Sequence, residues 1–302
     1  MRIVSLVPSA TELCFELDLR DEVIGVTHEC DYPPEVEDLP KVTKDRLPPG
    51  LSQREIDDAV RAQTTGGDSI YELDEDAVRE LAPDLIITQQ TCAVCAVEYQ
   101  DVVALAQTMP KQPDVVSLDP STIGEVLGDV RTVASATDRV EEGADFVREA
   151  SGRIDRIRLA VRDAGRPTVV ALEWIDPVYV AGHWTPQLID YAGGLDVLGN
   201  PGEHSEVVTW EDVAAVRPEI VLLMPCGYDA ERSATEATPF AEQLASLGAR
   251  KVFAVDAAAY FSRPGPRLLD GLELLGHLFH PDLVPEPPPG RFVDVTGGRA
   301  WR

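Results

Sequence analysis

Seven short runs of β-branched and aliphatic residues recur along the chain. They are RIVSLV (2–7), EVIGVT (22–27), DLIITQ (84–89), DVVSLD (114–119), TVVALEW (168–174), EIVLLMP (219–225) and KVFAVD (251–256). Runs that are apolar throughout, rather than alternating, describe strands buried on both faces, which is the condition of a parallel sheet covered by helices. Amphipathic stretches such as PSATELCFELDL and EDAVRELA fall between them. The alternation predicts an α/β fold with mainly parallel sheets.

The rhythm breaks once. Residues 121–165 carry no strand pattern, and Val140, Ala144, Val147, Ile154, Ile157 and Val161 keep helical spacing with charges opposite. The pattern predicts one long helix (121–165) joining two Rossmann-like α/β lobes, 1–120 and 166–281. AGRP (164–167) stops the helix. Residues 282–302 are rich in Pro and Gly and read as a tail along the surface. A chain of 302 residues, 44% hydrophobic, has enough apolar material for both lobes.

Charge narrows the partners. There are 53 acidic against 26 basic residues, net −27, and lysine stands only at Lys41, Lys44, Lys111 and Lys251. Such a field argues against nucleic acid and anionic membranes as partners. It suits an acidic, halophilic surface whose self-repulsion salt screens. No run approaches the roughly 18 apolar residues of a membrane helix. MRIVSLVPSA enters the first strand pattern with no cleavage site. The expectation is a monomer in the cytoplasm, or outside it if a leader was removed. Five cysteines, Cys14, Cys30, Cys92, Cys95 and Cys226, are too few and too odd for a disulfide framework.

Ligands of open parallel sheets sit beyond the carboxyl ends of the strands. Those ends carry Pro8 and Ser9, then His28, Glu29 and Cys30, then Gln90, Cys92 and Cys95, then Cys226 and Tyr228, then Tyr260, Phe261 and Arg263. Cys92 and Cys95 could be a disulfide, a redox pair, packing thiols or ligand-facing thiols. With Cys30 and His28 they could supply the four ligands of a structural zinc site, so metal binding stays open. We expect reduced thiols. Cys14, inside a helix pattern, reads as core. His277 and His280 read as end-of-helix or solvent residues, and His204 as exposed. Arg263 and Arg267 could hold a carboxylate or phosphate bidentately. No nucleophile–base pair, phosphate loop or metalloprotease motif stands in the sequence. The expectation is therefore a non-catalytic protein. The rivals are a cytoplasmic enzyme or ligand chaperone working through the Cys/His cluster, and a redox sensor.

Six motifs then fall in one order: RIVSLVPSATEL (2–13), VIGVTHECDYPPEV (23–36), LAPDLIIT (81–88), GHWTPQLIDYAGGLDVLG (182–199), TWEDVAAVRPEIVLL (209–223) and YFSRPGPRLLDGLELL (260–275). Together they resemble the helical-backbone (class III) ABC-transporter substrate-binding proteins, in particular the vitamin B12-binding branch, over residues 1–281. The resemblance implies a small-molecule ligand held in a cleft between the lobes, little hinge motion, and an ABC-transporter permease as partner. It turns Trp184 toward that cleft. It also implies docking acids which, counted back from APD and RPE, fall at Glu75, Asp76 and Glu211. No cofactor is implied beyond a corrinoid or another metal-bearing or nitrogen-rich ligand. Where B12-binding members carry aromatics, this chain has His28-Glu29-Cys30 and Gln89-Gln90.

Overall fold

The computed structural model describes residues 1–66, 69–90 and 97–296. Cys92 and Cys95 lie outside them. The chain divides into two compact units, Met1–Pro120 with Glu125–Val147, and Ser121–Gly124 with Arg148–Arg302.

The first unit contains β1 (Ile3–Ser5), α1 (Pro8–Glu16), β2 (Val23–Val26), β3 (Thr43–Asp45), α2 (Gln53–Gly66), β4 (Tyr71–Leu73), α3 (Glu75–Leu81), β5 (Leu85–Thr88), α4 (Tyr99–Thr108) and β6 (Asp114–Ser117). Most of α5 (Ile123–Ala136) and the start of α6 (Val140–Val161) complete it. β2, β1, β5 and β6 form an all-parallel sheet in that order. Successive residues of β1 feed opposite faces. Ile3 packs with Leu13, Leu17, Leu85 and Ile87, while Val4 packs with Ile86, Val102 and Leu105. That is why the strand patterns read as continuously apolar. β3 and β4 make a separate antiparallel pair. Their sequences, TKD and YEL, are too short and polar to announce it.

The second unit contains β7 (Thr168–Trp174), β8 (Tyr179–Val180), α7 (Thr185–Tyr191), β9 (Leu195–Asp196), β10 (Glu206–Val207), α8 (Trp210–Ala215), β11 (Ile220–Leu223), α9 (Ala230–Glu236), α10 (Ala241–Ser246), β12 (Lys251–Val255), α11 (Ala257–Tyr260), α12 (Leu268–Phe279) and β13 (Phe292–Asp294). The sheet order is β10-β8-β7-β11-β12-β13, with β9 also on β7. The β7–β11–β12 centre is parallel. β8, β10 and β13 add antiparallel edges, so this sheet is mixed.

All seven strand patterns form strands. The segment 121–165 differs from the single helix expected. It folds as α5 and α6, broken at Asp138, whose φ of 57° leaves the helical region. Arg139 restarts the chain there: its N–H donates to Ala134 O at 2.8 Å and its guanidinium pairs with Glu22 at 3.4 Å. The division between the units falls within both helices, after Gly124 in α5 and after Val147 in α6. The Pro/Gly-rich tail also does more than lie on the surface. β13 extends the sheet beside β12, and Val295 is buried. Among the described residues, no helix is long and apolar enough to cross a membrane.

Candidate ligand-binding site

In the first unit the strand order reverses between β1 and β5, because β2 lies on one side of β1 and β6 on the far side of β5. Loops at the carboxyl ends beside such a reversal are where open α/β sheets bind ligands. The loop after β1 opens α1 with Pro8 at its first turn, where its fixed φ suits the helix. Ser9 beside it is buried. Beneath them Thr11 donates to Ser5 at 2.8 Å, Ser5 donates to Val7 O at 3.1 Å, and Cys30 Sγ lies 3.1 Å from Thr11 Oγ1. Cys30 is thereby buried in the core.

His28 is held by Thr43, the first residue of β3. Thr43 of β3 accepts the His28 backbone N–H at 3.0 Å, meets Thr27 Oγ1 at 2.8 Å, and meets His28 Nδ1 at 2.7 Å. Tyr71 of β4 packs edge-on to the imidazole, centroids 5.1 Å apart. The ring's other nitrogen, Nε2, has no hydrogen-bond partner, with Glu29 Oε1 3.4 Å away. The Thr27–Thr43 hydroxyl pair can close in either direction, so the ring can offer Nε2 as an N–H donor or as a bare lone pair. Gln90, after β5, is exposed, and its N–H donates to Asp119 at 2.5 Å.

In the second unit the reversal lies between β7 and β11. The two loops are tied by Cys226 N donating to Glu173 O at 3.2 Å, and the Trp174 and Tyr228 rings meet at 5.6 Å. Cys226 is exposed, whereas Tyr228 is buried under the Arg232 guanidinium, 3.7 Å from the ring centroid. Burial raises the pKa of Tyr228's hydroxyl, against the neighbouring Arg232, which lowers it. The Tyr228 carbonyl accepts from Ala257 and Ala258, which fixes α11. Trp184 Nε1 donates to Phe261 O at 2.8 Å, and Gly227 N donates to Ser262 Oγ at 3.2 Å. Phe261 is buried and Arg263 half-buried. Tyr260 turns elsewhere: it stacks against Arg291, 4.7 Å from the ring centroid, and lines a 410 Å³ pocket with Arg156, Glu273 and the proline-rich tail.

Beside Trp184 two loops press together at Gly182, where a Cβ would meet Glu203 O at 2.4 Å and Ser205 N at 2.7 Å. His183 is left-handed (φ 53°) and sits between bonds to Glu203 O and from Gly202 N. Its Nε2 lies 3.1 Å from Nδ1 of His204. Behind the pair the Glu173 carboxylate accepts from Ser205 Oγ at 2.7 Å, and burial raises its pKa.

The structure thus gathers Pro8, Ser9, His28, Glu29, Cys30 and Gln90 at the strand ends of the first unit. It gathers Trp184, Cys226, Tyr228, Phe261 and Arg263 in the second. Cys14 is buried, and burial, ahead of the charge of Cys30, pushes its thiol up to about 12. His204 is exposed as expected. His277 in the last turn of α12 and His280 at its C-cap are end-of-helix residues, as expected; His280 is buried with Nε2 3.3 Å from Gly193 O, and His277 Nδ1 lies 3.0 Å from Val284 O. Glu173 and Trp174 were missed although they end the TVVALEW strand, where the rule applied elsewhere would have found them. Thr43 and Tyr71 were missed because β3 and β4 have no sequence signature. Among the described residues, no group of three or more His, Cys, Asp or Glu side chains could hold a metal. Glu75 and Asp76 stand in the first turn of α3, Glu75 paired with Arg79 at 3.0 Å, and Glu211 in the first turn of α8.

The family model described as periplasmic binding protein matches residues 3–259. A vitamin B12-binding protein of Vibrio cholerae is 20% identical over 278 residues, 90% of this chain and 86% of that one. The ABC transporter substrate-binding lipoprotein YvrC of Bacillus subtilis is 21% identical, covering 94% of this chain and 82% of its own. A periplasmic heme-binding protein of Pseudomonas aeruginosa superposes with a TM-score of 0.73 at 18% identity, over 97% of each chain. With the match running from β1 through β12, the chain belongs to the periplasmic binding protein family.

Proposed function

We propose that this protein is the non-catalytic ligand-binding component of an ABC-type uptake system, and that its ligand is a corrinoid or a similar metal-bearing chelate. The observation that carries the reading is His28. One imidazole nitrogen is tied to Thr43 at 2.7 Å, and the other, beyond the carboxyl end of β2, makes no hydrogen bond and has the Glu29 carboxylate 3.4 Å away. An imidazole held this way by its far nitrogen is arranged to hydrogen-bond a ligand or to coordinate its metal. The names of the relatives, one B12-binding and one heme-binding, support the same ligand chemistry. Glu75, Asp76 and Glu211 are the proposed permease contacts.

Absorption titrations with hydroxocobalamin, cobinamide and hemin test the reading. At least one should bind the wild-type protein with a spectral shift, unaltered on recovery, and His28→Ala should weaken it at least tenfold. Binding of none of the three, equal binding by His28→Ala, or chemical turnover of the bound ligand would overturn it.

A further inference from the structure

The His183–His204 pair is built more firmly than a chance contact of two surface rings. Gly182 allows the loops to touch at backbone distance, a left-handed His183 is locked by hydrogen bonds on both sides, and Trp184 packs 5.5 Å from the His183 ring. The two rings stand nearly perpendicular, 83°, with facing nitrogens 3.1 Å apart. Metal–imidazole bonds of about 2.0–2.1 Å put two nitrogens on one ion about 2.9 Å apart at a right angle and about 3.3 Å apart in a tetrahedron. The observed separation lies between these values.

We propose that His183 and His204 form a two-imidazole bite for a divalent transition-metal ion of the zinc, nickel or cobalt kind. Without metal, one ring donates its N–H to the other. If that ring carries its proton on the outer nitrogen instead, both facing lone pairs are free and no net proton is released. Neutral rings are the ligand-competent form. His204 is exposed, so the ion has a path in and solvent can complete its coordination. Glu173 is not a ligand. It holds Ser205 and Gly182, the residues flanking the two histidines, and so acts as a positioning residue. The site does not depend on the corrinoid reading, and the probe is the metal alone.

Calorimetric titration of Ni2+ into the full chain near pH 7.5, in a non-chelating buffer, tests it. The wild-type protein should show a site that weakens at least tenfold in His204→Ala and in His183→Asn. Asn is the substitution of choice at 183 because it tolerates the left-handed backbone. Both variants should melt like the wild type. A parallel Co2+ titration identifies the ligands: the difference between the wild-type and His204→Ala spectra should show d–d bands without a thiolate charge-transfer band. No Ni2+ uptake by the wild type, an unchanged isotherm in His204→Ala, or a thiolate band in that difference would overturn the proposal.

Discussion

Asp129, on α5, has its pKa raised to about 7, by burial first and then by Asp119 and Glu125. In the unfolded chain the group titrates near 3.8. Below about pH 4 both states are protonated, and the favourable contribution of the neutral acid is fully present. As pH rises toward 7 the unfolded chain sheds its proton while the fold holds on, so stability falls; above about 7 the full penalty applies. Asp129→Asn removes the charge at all pH. After discounting for partial exposure, the gain should be about 1 kcal/mol at pH 8 and should vanish near pH 4. Urea denaturation of the two proteins at both pH values checks this; equal gains at pH 4 and pH 8 would show that the carboxylate charge is not the cause. Of the residues around this group, the sequence marked none. Three acids spaced along 119–129 look like any other part of a chain with 53.

At the scale of elements, one connection recurs. A left-handed residue, a proline and an acid open a strand three times: Ala82-Pro83-Asp84 before β5, Gln112-Pro113-Asp114 before β6, and Arg217-Pro218-Glu219 before β11. In two of them the acid reaches the neighbouring strand's entry, Asp84 accepting from Arg2 N at 2.9 Å and Glu219 from Thr168 N at 2.9 Å. The parallel strands were legible because burial on both faces writes itself as an apolar run. The short strands β8, β9, β10 and β13 were not, because two or three residues carry no period. The α5–α6 break was hidden for a related reason: apolar spacing continues on both sides of Asp138, and only the backbone angle departs. Where the two helices meet, a Cβ on Gly143 would stand 2.5 Å from Ala134 Cβ. Gly143→Val must therefore push α6 away from α5, and should cost about 2–3 kcal/mol. A denaturation midpoint within error of the wild type would show that the helices yield freely there.

On the scale of the whole molecule the dominant quantity is the net charge of −27. Pairs such as Arg162–Asp163 and Arg20–Glu35 are exposed, and exposed pairs contribute little. Unbalanced like charge opposes the compact state, where the groups are nearer one another than in the unfolded chain. Salt shortens the reach of that repulsion from about 10 Å at 0.1 M to about 3 Å at 1 M. Melting temperature should therefore climb by several degrees between 0.05 and 1 M KCl. Chloride is preferable to sulfate here, since sulfate also strengthens apolar burial. The gain should shrink near pH 4, where many carboxylates become protonated and the repulsion falls without salt. Two curves of melting temperature against KCl, at pH 7.5 and pH 4, separate screening from a general salt effect. A rise of equal size at both pH values, or none at pH 7.5, would mean that the acidic surface is not what limits the stability of this fold.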